Sequence, residues 1–572
     1  MINKKIDINE AKTPKYNISR YIIGAVAALI FIAVCLYVFC PAINIHNIGL
    51  WMIIGIAALI FTVIERILKF FEVLKADEVK RPQKRFGLKN RIIKFDFGIK
   101  YFFAPILIFA LVFVISVIGS TVFNAKKYSQ ILTVANADFS KDLNESMGTD
   151  SIALMDTASA RMLGDREIGA LSDVVSQFDV SYEYTQIDYN GKPIKVAPLE
   201  YAGFFKWMNN KDSGTKGYVT VDPVSMSASF VKSEGMKYVP SAYFSEDAFR
   251  HIRFKYPTLM LENLHFEIDE SGKPYYVASI IKKSIGLFGG KTVSGCIVLD
   301  PVSGETEKYD VSNIPKWIDV VFYGDLICEQ YNWHGTLQNG YFNSLFAKKG
   351  CKQVTTYFSS EEEEEADETP VSDYGFVAKD GDIWIYTGVT SVNGDSSNIG
   401  FLLANERTGE SRYYSVAGAD EKSAMVAAEG EVQEKGYQAS FPSLINVEGN
   451  PTYIMVLKDS GGLVKLYATV NVEQYNIVTT ATSQAECIKK YKSALGIKEE
   501  TVTEETKETE IVISSIKYID VDGNTFIYLI DGNKNMFKAK AASHENMILL
   551  NVGDKVQITY WGKNIISCEK IG

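Results

Sequence analysis

The chain has 572 residues and a formal net charge of −10 at pH 7, from 59 Lys and Arg against 69 Asp and Glu. Its length exceeds the roughly 100–200 residues of a typical domain, so a single domain is excluded and several are expected. The acidic balance argues against a nucleic-acid-binding surface, which would be basic, and we expect no nucleic acid among the partners.

The cysteines are spread along the chain without the spacing of a disulfide framework or a metal site. Cys35 and Cys40 lie in an apolar stretch, and the others occur singly: Cys296, Cys328, Cys351, Cys487 and Cys568. An odd number of unclustered cysteines favours neither paired thiols nor zinc ligands. We therefore interpret them as buried free thiols, and we expect no bound metal and no cofactor.

Three uncharged apolar stretches in the first part of the chain predict transmembrane helices, at about 21–40, 48–64 and 101–123. About 20 helical residues span about 30 Å, which is the thickness of a hydrocarbon core. A cleaved signal peptide is the alternative for the first stretch, but no Ala-x-Ala site follows it and the second stretch comes soon after. Residues 1–123 are therefore predicted to form a membrane anchor in contact with the lipid bilayer.

The loop 65–100 between the second and third stretches is strongly cationic, which sets the expected orientation. Cationic loops stay on the cytoplasmic side, so we expect a cytoplasmic N-terminus and an extracytoplasmic chain after about residue 123. Residues 65–75 also have the pattern of an amphipathic helix that could lie on the inner leaflet, although the same charges could serve only to set the topology. The candidate membrane-surface residues are Arg66, Lys69, Lys75, Lys80, Arg81, Lys84 and Arg85.

Two kinds of hairpin recur in the predicted outer region. In the first, a turn with Gly-x-Pro separates two alternating arms, as at 264–277, 184–196 and 444–456. In the second, Asp-Pro or Asn-Glu opens the turn and a Ser or Thr with Gly closes it, as at 295–309 and, in part, at 217–225 and 400–410. Alternation around such turns is a strand–turn–strand signal.

Helical patterns at 245–252 and 420–432 follow two of these hairpins, so the predicted unit is hairpin, helix, hairpin. With the turn at 299–305, this order resembles the PepSY-type modules of bacterial extracytoplasmic proteins. The whole layout also resembles uncharacterised multi-span membrane proteins of Gram-positive bacteria with a large outer domain. The resemblance implies a location and an architecture, and a PepSY-type module would allow a role in regulating a peptidase.

The predicted fold class is an α-helical membrane anchor of three spans, followed by extracytoplasmic α+β modules of repeated hairpin–helix–hairpin order and a C-terminal small β-barrel of the OB or SH3-like kind. Two acidic tracts are expected to stay solvated because like charges repel. The predicted segments are a helical connector at 124–180, modules at 181–358 and 372–496, an acidic loop at 359–371, an acidic linker at 497–510 and the barrel at 511–572.

No catalytic motif stands out in the sequence. There is no Gly-x-Ser-x-Gly elbow, no Gly-rich phosphate loop before a helix and no pair of histidines four residues apart. An aromatic-rich stretch, read as a loop, is the candidate ligand site, through Glu329, Asn332, Trp333 and His334. The alternative is that these aromatic side chains pack against a sheet.

The function that the sequence favours is a non-enzymatic, membrane-anchored scaffold or binding protein at the bacterial cell envelope. Its expected partner is an envelope protein, a peptide or a wall polymer. Two alternatives stay open: a regulator or inhibitor of an envelope peptidase through PepSY-like modules, and an envelope hydrolase that uses the region 329–334.

Overall fold

The structure is a computed structural model that describes residues 18–79, 102–143, 154–355, 375–392, 397–497, 507–521, 524–541, 544–561 and 563–571. The chain divides into two compact units, Met1–Leu495 and Gly496–Gly572. The acidic loop predicted at 359–371 and residues 498–506 of the predicted linker lie outside the described residues.

The first unit begins with apolar helices: α1 (Ile18–Val38), α2 (Ile48–Val79), α3 (Phe103–Ile118) and α4 (Thr121–Tyr128). Within the described residues, two helical stretches are long and apolar enough to cross a membrane, Ile18–Val38 and Ile48–Glu72. These confirm helices at the first two predicted spans, and α2 continues through 65–75 as the pattern predicted.

The third predicted span, 101–123, is interrupted. The helix ends at Ile118, and α4 continues at an angle of 40° to α3. The two helices together are long and apolar enough for a third membrane span if one span includes this bend. The cause is local: Ser120 Oγ donates to Val117 O at 2.7 Å, and Asn124 Nδ2 donates to Ile118 O at 2.7 Å. Such side-chain bonds compete with the backbone ladder of a helix.

The loop between α1 and α2 packs against the folded region. Ile43 N donates to Pro257 O at 2.7 Å, Asn44 Nδ2 donates to Thr258 O at 2.9 Å, and His46 Nδ1 lies 2.7 Å from Leu287 O. The end of α3 reaches the same region, where Gly119 lies against the backbone of a β-turn. These helix ends therefore lie on the same side as the folded region.

The remainder of the first unit alternates strands with short helices. In chain order the elements are β1 (Val134–Ala137), α5 (Phe139–Asp142), α6 (Thr157–Gly169), α7 (Ser172–Val175), β2 (Phe178–Val180), β3 (Thr185–Tyr189), β4 (Lys192–Tyr201), α8 (Phe204–Asn210), β5 (Thr215–Asp222), β6 (Ser227–Met236), α9 (Ala248–Lys255), β7 (Met260–Ile268), β8 (Pro274–Ile285), β9 (Gly289–Leu299), β10 (Thr306–Asp310) and α10 (Gly324–Leu337). They continue with β11 (Lys352–Val354), β12 (Gly375–Lys379), β13 (Asp382–Ser391), β14 (Ser397–Asn405), β15 (Ser411–Tyr414), β16 (Gly418–Ala419), α11 (Glu421–Gly430), β17 (Gln438–Ala439), β18 (Ser443–Val447), β19 (Asn450–Lys458), β20 (Val464–Asn471), β21 (Val478–Ala481) and α12 (Gln484–Ala494).

In the described part of this unit the strands form four sheets, each built around a meander of antiparallel strands. The first sheet has the order β2-β4-β5-β6 with β3 on β4, and the second has the order β10-β9-β8-β7. The third has the order β1-β15-β14-β13-β11, with β12 on β13 and β16 on β14, and the fourth has the order β17-β19-β20-β21 with β18 on β19. Along the chain, the sheets are followed by α9, α10, α11 and α12 respectively.

The sheets share their cores in pairs. One core contains the facing residues of the first and second sheets with Ala248 and Ile252 of α9, and another joins the third and fourth sheets through Ala424 and Ala428 of α11. Each of these two helices has an aspartate at its N-cap. The Asp247 side chain accepts a hydrogen bond from Arg250 N, and the Asp420 side chain accepts one from Ser423 N. Such caps satisfy amides that have no partner inside the helix.

The region predicted as a helical connector, 124–180, is only partly helical. It contains β1, which pairs in parallel with β15, and β2, which pairs with β4. Gly164 lies inside α6, where a side chain would collide with the Tyr184 hydroxyl.

In the second unit, the described strands close into a five-stranded barrel, as predicted. They are β22 (Lys507–Val521), β23 (Asn524–Asp531), β24 (Met536–Lys540), β25 (Lys555–Trp561) and β26 (Asn564–Lys570), in the order β22-β23-β24-β26-β25. The last residues of the predicted linker, 507–510, belong to β22, where they pair with β25.

All of the cysteines lie within the described residues, and each is a buried free thiol, as the sequence predicted.

Candidate functional site

The predicted ligand residues lie on a helix, α10, and not in a loop. Asn332 Oδ1 accepts from Val354 N at 3.0 Å, and His334 Nδ1 lies 3.0 Å from Ser129 O. The Trp333 ring meets the Tyr128 ring edge to face at 4.9 Å. These three side chains therefore fasten α10 to β11 and to the end of α4.

Glu329 does not join them in a shared pocket, since it is partly exposed and its Oε2 lies 3.9 Å from Lys291 Nζ. The helix forms because Leu326, Ile327 and Tyr331 recur at helical spacing and are buried. That periodicity was the signal for a helix, and the concentration of aromatic and polar residues around it favoured the wrong interpretation as a loop.

The candidate membrane-surface residues lie in different environments. Arg66 is only 8% exposed and its Nε lies 2.9 Å from Glu65 Oε2, while Glu65 Oε1 lies 3.0 Å from Nε of Arg20 on α1. Arg66 is thus held within the helix pair. Lys69 and Lys75 lie on α2. Four others lie outside the described residues: Lys80, Arg81, Lys84 and Arg85.

A groove of about 420 Å³ opens between the first sheet and the β7–β8 turn. Its floor is one face of the first sheet, where Thr220 pairs with Ser229 and Tyr218 pairs with Val231 across β5 and β6. Side chains directly opposite each other on antiparallel strands share a face. The residues that line the groove include Tyr189, Tyr218, Thr220, Ser229, Lys232 and Gly272.

The groove wall is fixed by a hydrogen bond between two elements. Tyr218 Oη donates to Gly272 O at 2.7 Å, and burial raises the pKa of Tyr218 to about 12, so the phenol stays protonated and remains a donor. At the other end, Asp222 Oδ1 accepts from Val224 N at 2.8 Å, which uses one carboxylate oxygen to hold the β5–β6 turn.

Strand β6 forms the outer margin of the groove. Among the described strands it pairs with β5 alone, so its second edge has no strand beside it. Unpaired backbone N–H and C=O groups at a sheet edge are a template for an added strand. An extended peptide that pairs with β6 would place alternate side chains toward the hydroxyl and tyrosine lining of the groove.

Sequence reasoning missed the groove residues. The recurrent turns mark the positions of Tyr189, Asp222 and Gly272 in the sequence, but only the packing of the second sheet against the first brings them together.

A second polar cluster lies buried where the sheets meet. Glu267 is fully buried; its Oε1 accepts from Val320 N and its Oε2 accepts from Asp319 N, both at 2.9 Å, and His265 Nε2 lies 2.8 Å from Oε1. Asp319 Oδ2 in turn accepts from Asp188 N at 2.8 Å. The cluster joins β3, β7 and the segment before α10.

Two carboxyl groups of this region favour the protonated form. Burial, and secondarily the charge of Glu267, raise the pKa of Asp319 and of Glu406 well above the usual carboxyl range. Among the described residues, no three His, Cys, Asp or Glu side chains are arranged to hold a metal ion. Because the carboxylates of Glu267 and Asp319 accept backbone N–H groups of neighbouring segments, we interpret the cluster as a connection between sheets.

No protein-family model and no curated protein matches the chain. Among solved structures, a levansucrase from B. megaterium is similar over 79% of this chain and 97% of its own, at 8% identity and a TM-score of 0.18. An exo-beta-1,3-galactanase from Phanerochaete chrysosporium is similar over 62% of this chain and 80% of its own, at 11% identity and a TM-score of 0.15. Similarities with such low TM-scores carry no argument about fold or activity.

Proposed function

We propose that this chain is a membrane-anchored binding protein of the bacterial cell envelope, with its folded region outside the cytoplasm. The cationic loop after α2 supports this orientation, because such loops stay in the cytoplasm. The contacts of Asn44 and His46 with the folded region agree with it, since the α1–α2 loop and the sheets then lie on one side of the bilayer.

The ligand that we propose is an extended peptide segment of another envelope protein, and the observation that carries the proposal is the groove beside β6. The strand edge supplies backbone hydrogen bonds, and the groove supplies room for side chains. The lining combines tyrosines and the hydroxyls of Thr220 and Ser229 with the opposite charges of Asp222 and Lys232, a composition that suits polar side chains.

The test is photo-crosslinking in living cells that produce the full chain. A benzophenone amino acid in place of Ser229 should give a discrete adduct, and the same amino acid in place of the exposed Ser493 on α12 should not. The additional substitution Thr220→Trp should remove the Ser229 adduct by filling the groove, whereas Ser493→Trp should leave it unchanged. Equal adducts from both probe positions, or an adduct that survives Thr220→Trp, would contradict the proposal.

The peptidase-regulator alternative is favoured by one observation, the succession of sheet and helix in the first unit. We propose that the sheets and their helices are PepSY-type internal repeats, since each sheet is a meander with a helix after it. If the bound peptide belongs to a peptidase, the crosslinked adduct will identify it. The hydrolase alternative gains no support, because Asn332 and His334 are engaged in packing contacts.

We also propose that the C-terminal barrel is of the OB type. Three observations support this: the strand order β22-β23-β24-β26-β25, the parallel pairing of β24 with β26, and the short helical turn Glu545–Leu549 between β24 and β25.

A further inference from the structure

We propose that the folded region rests on the lipid surface through two exposed aromatic patches that flank the ends of the apolar helices. The partner is the headgroup and upper acyl region of the bilayer in which the chain is anchored. The inference concerns a surface separate from the groove, and it holds whether or not the groove binds a peptide.

The first patch, which we call the α9 patch, consists of Phe204, Phe205, Phe244 and Phe254. Phe205 is 71% exposed, Phe244 is 55% exposed and Phe254 is 53% exposed. Phe204 contacts Phe205 and Trp207, and Trp207 contacts Phe244. Clusters of exposed apolar side chains on a folded protein mark an interaction surface.

This patch is tied to the end of α1. The Phe254 ring lies 6.2 Å from the ring of Tyr37, which is in the last turn of α1. The Arg250 guanidinium lies over the Tyr37 ring at 4.9 Å, donates to Tyr37 O at 3.2 Å and donates to Phe244 O at 2.6 Å. A helix that packs beside the last turn of a membrane span lies at the level of the lipid headgroups.

The backbone at Phe244 carries a second indication. Its φ is +56°, a left-handed conformation that is unfavourable for a bulky side chain. Unfavourable conformations of this kind persist where the surrounding structure enforces them, and they are more frequent at binding and active sites. Phe244 stays more than half exposed in this conformation, so it presents apolar surface that insertion into lipid would remove from water.

The second patch, which we call the 342–346 patch, lies beside the other helix end. The Phe342 and Phe346 rings stack at 6.4 Å and are 69% and 78% exposed. The neighbouring Tyr341 packs against the cluster that contains Tyr128 of α4 and Ile285 at the end of β8. Both patches therefore adjoin the side of the helices on which the folded region lies.

Cations adjoin both patches in the sequence. Lys206 follows Phe205 directly, while Lys348 and Lys349 come just after Phe346. Aromatic rings favour the membrane–water interface, and nearby lysines are attracted to anionic headgroups. The composition of both patches is therefore that of an interfacial contact rather than of a dry protein interface, from which lysines are depleted.

The length of β8 provides a control position. Its end at Ile285 lies near the helix ends, and its start at Pro274 follows the β7–β8 turn. At about 3.3 Å per residue, the 12 residues of β8 place Ser271 in that turn roughly 35 Å from the helix ends. Ser271 is exposed, and we expect it to face water in the purified chain, to which no peptide is added.

The experiment uses the full chain in nanodiscs of phosphatidylethanolamine and phosphatidylglycerol. Single substitutions Phe205→Cys, Phe346→Cys and Ser271→Cys introduce an exposed thiol for an environment-sensitive dye, while the native thiols are buried. We expect a blue shift of dye emission at the two patch positions, and a loss of fluorescence when the lipids carry a spin label near the headgroup. The dye at Ser271 should show neither change and should be quenched by aqueous iodide.

The proposal requires both patches. If the dye at either Phe205→Cys or Phe346→Cys is as accessible to iodide as the dye at Ser271→Cys and is not quenched by the spin-labelled lipid, the proposal is wrong. An equal melting temperature of the three labelled variants confirms that the comparison is between folded proteins.

Discussion

Single residues in this molecule show how burial controls ionisation. Glu406 lies in the β14–β15 turn, where its backbone oxygen accepts from Val321 N at 2.9 Å and its side chain is closed off from solvent. Burial, the largest cause, and the charge of Glu267 raise the pKa of Glu406, and they outweigh Lys195, which lowers it. The fold therefore accepts this side chain as a neutral acid.

A pH dependence of stability follows from Glu406. An acid whose pKa is higher in the folded than in the unfolded state loses stability as pH rises, from the unfolded value of about 4.3 up to the folded value, by up to about 1.4 kcal/mol per pH unit. We expect Glu406→Gln to remove part of the decline in melting temperature as the pH rises above about 4.3. Glu434→Gln, at an exposed carboxyl, should leave the decline unchanged. Equal slopes for Glu406→Gln and the unmodified chain would show that Glu406 ionises normally.

At the scale of elements, the hairpin turns are determined by a few residues. Asn190-Gly191, Asp380-Gly381 and Glu448-Gly449 each place two successive residues at positive φ, the arrangement of a two-residue hairpin turn. The first and third belong to hairpins that the sequence predicted. The second was not predicted, although Asp-Gly between alternating arms is the same signal.

Gly381 allows the cost of a side chain at such a turn to be measured. Its φ is +77° and a Cβ there would touch nothing, so Gly381→Ala changes only the backbone preference. We expect a loss of about 1–2 kcal/mol in the free energy of unfolding. Gly430→Ala, at the end of α11 with equally open surroundings and no positive φ, should be neutral or stabilising by about 0.5–1 kcal/mol. Denaturant unfolding of the two variants gives the comparison, and equal effects would contradict the argument.

Other elements could not be predicted because their partners are distant in the sequence. The pairing of β1 with β15 joins residues near 134 to residues near 411, and no local pattern specifies it. The bend after α3 depends on the hydrogen bonds of Ser120 and Asn124, which look like ordinary polar residues at the end of an apolar stretch. The groove depends on the packing of two sheets, so the sequence indicates its residues only where they lie in recurrent turns.

At the scale of the first unit, β8 connects two surfaces with different environments. Ile285 at one end packs with Tyr128, beside the apolar helices, and the turn at the other end forms a wall of the groove. The proposed ligand site is therefore directed away from the helices, while the proposed lipid contacts adjoin them. A partner could occupy the groove without displacing the folded region from the membrane.

The proposed roles of the two surfaces require that the folded region lies outside the cytoplasm. Protease accessibility measures on which side of the membrane it lies. A cleavage site for a specific protease, inserted after Asp367 in the acidic tract, should be cut when the protease is added to intact cells. The same site inserted after Lys89 in the cationic loop should be cut only after permeabilisation, because cationic loops stay in the cytoplasm. The opposite result would reverse the orientation: the groove would then face cytoplasmic partners, and the aromatic patches would contact the inner leaflet.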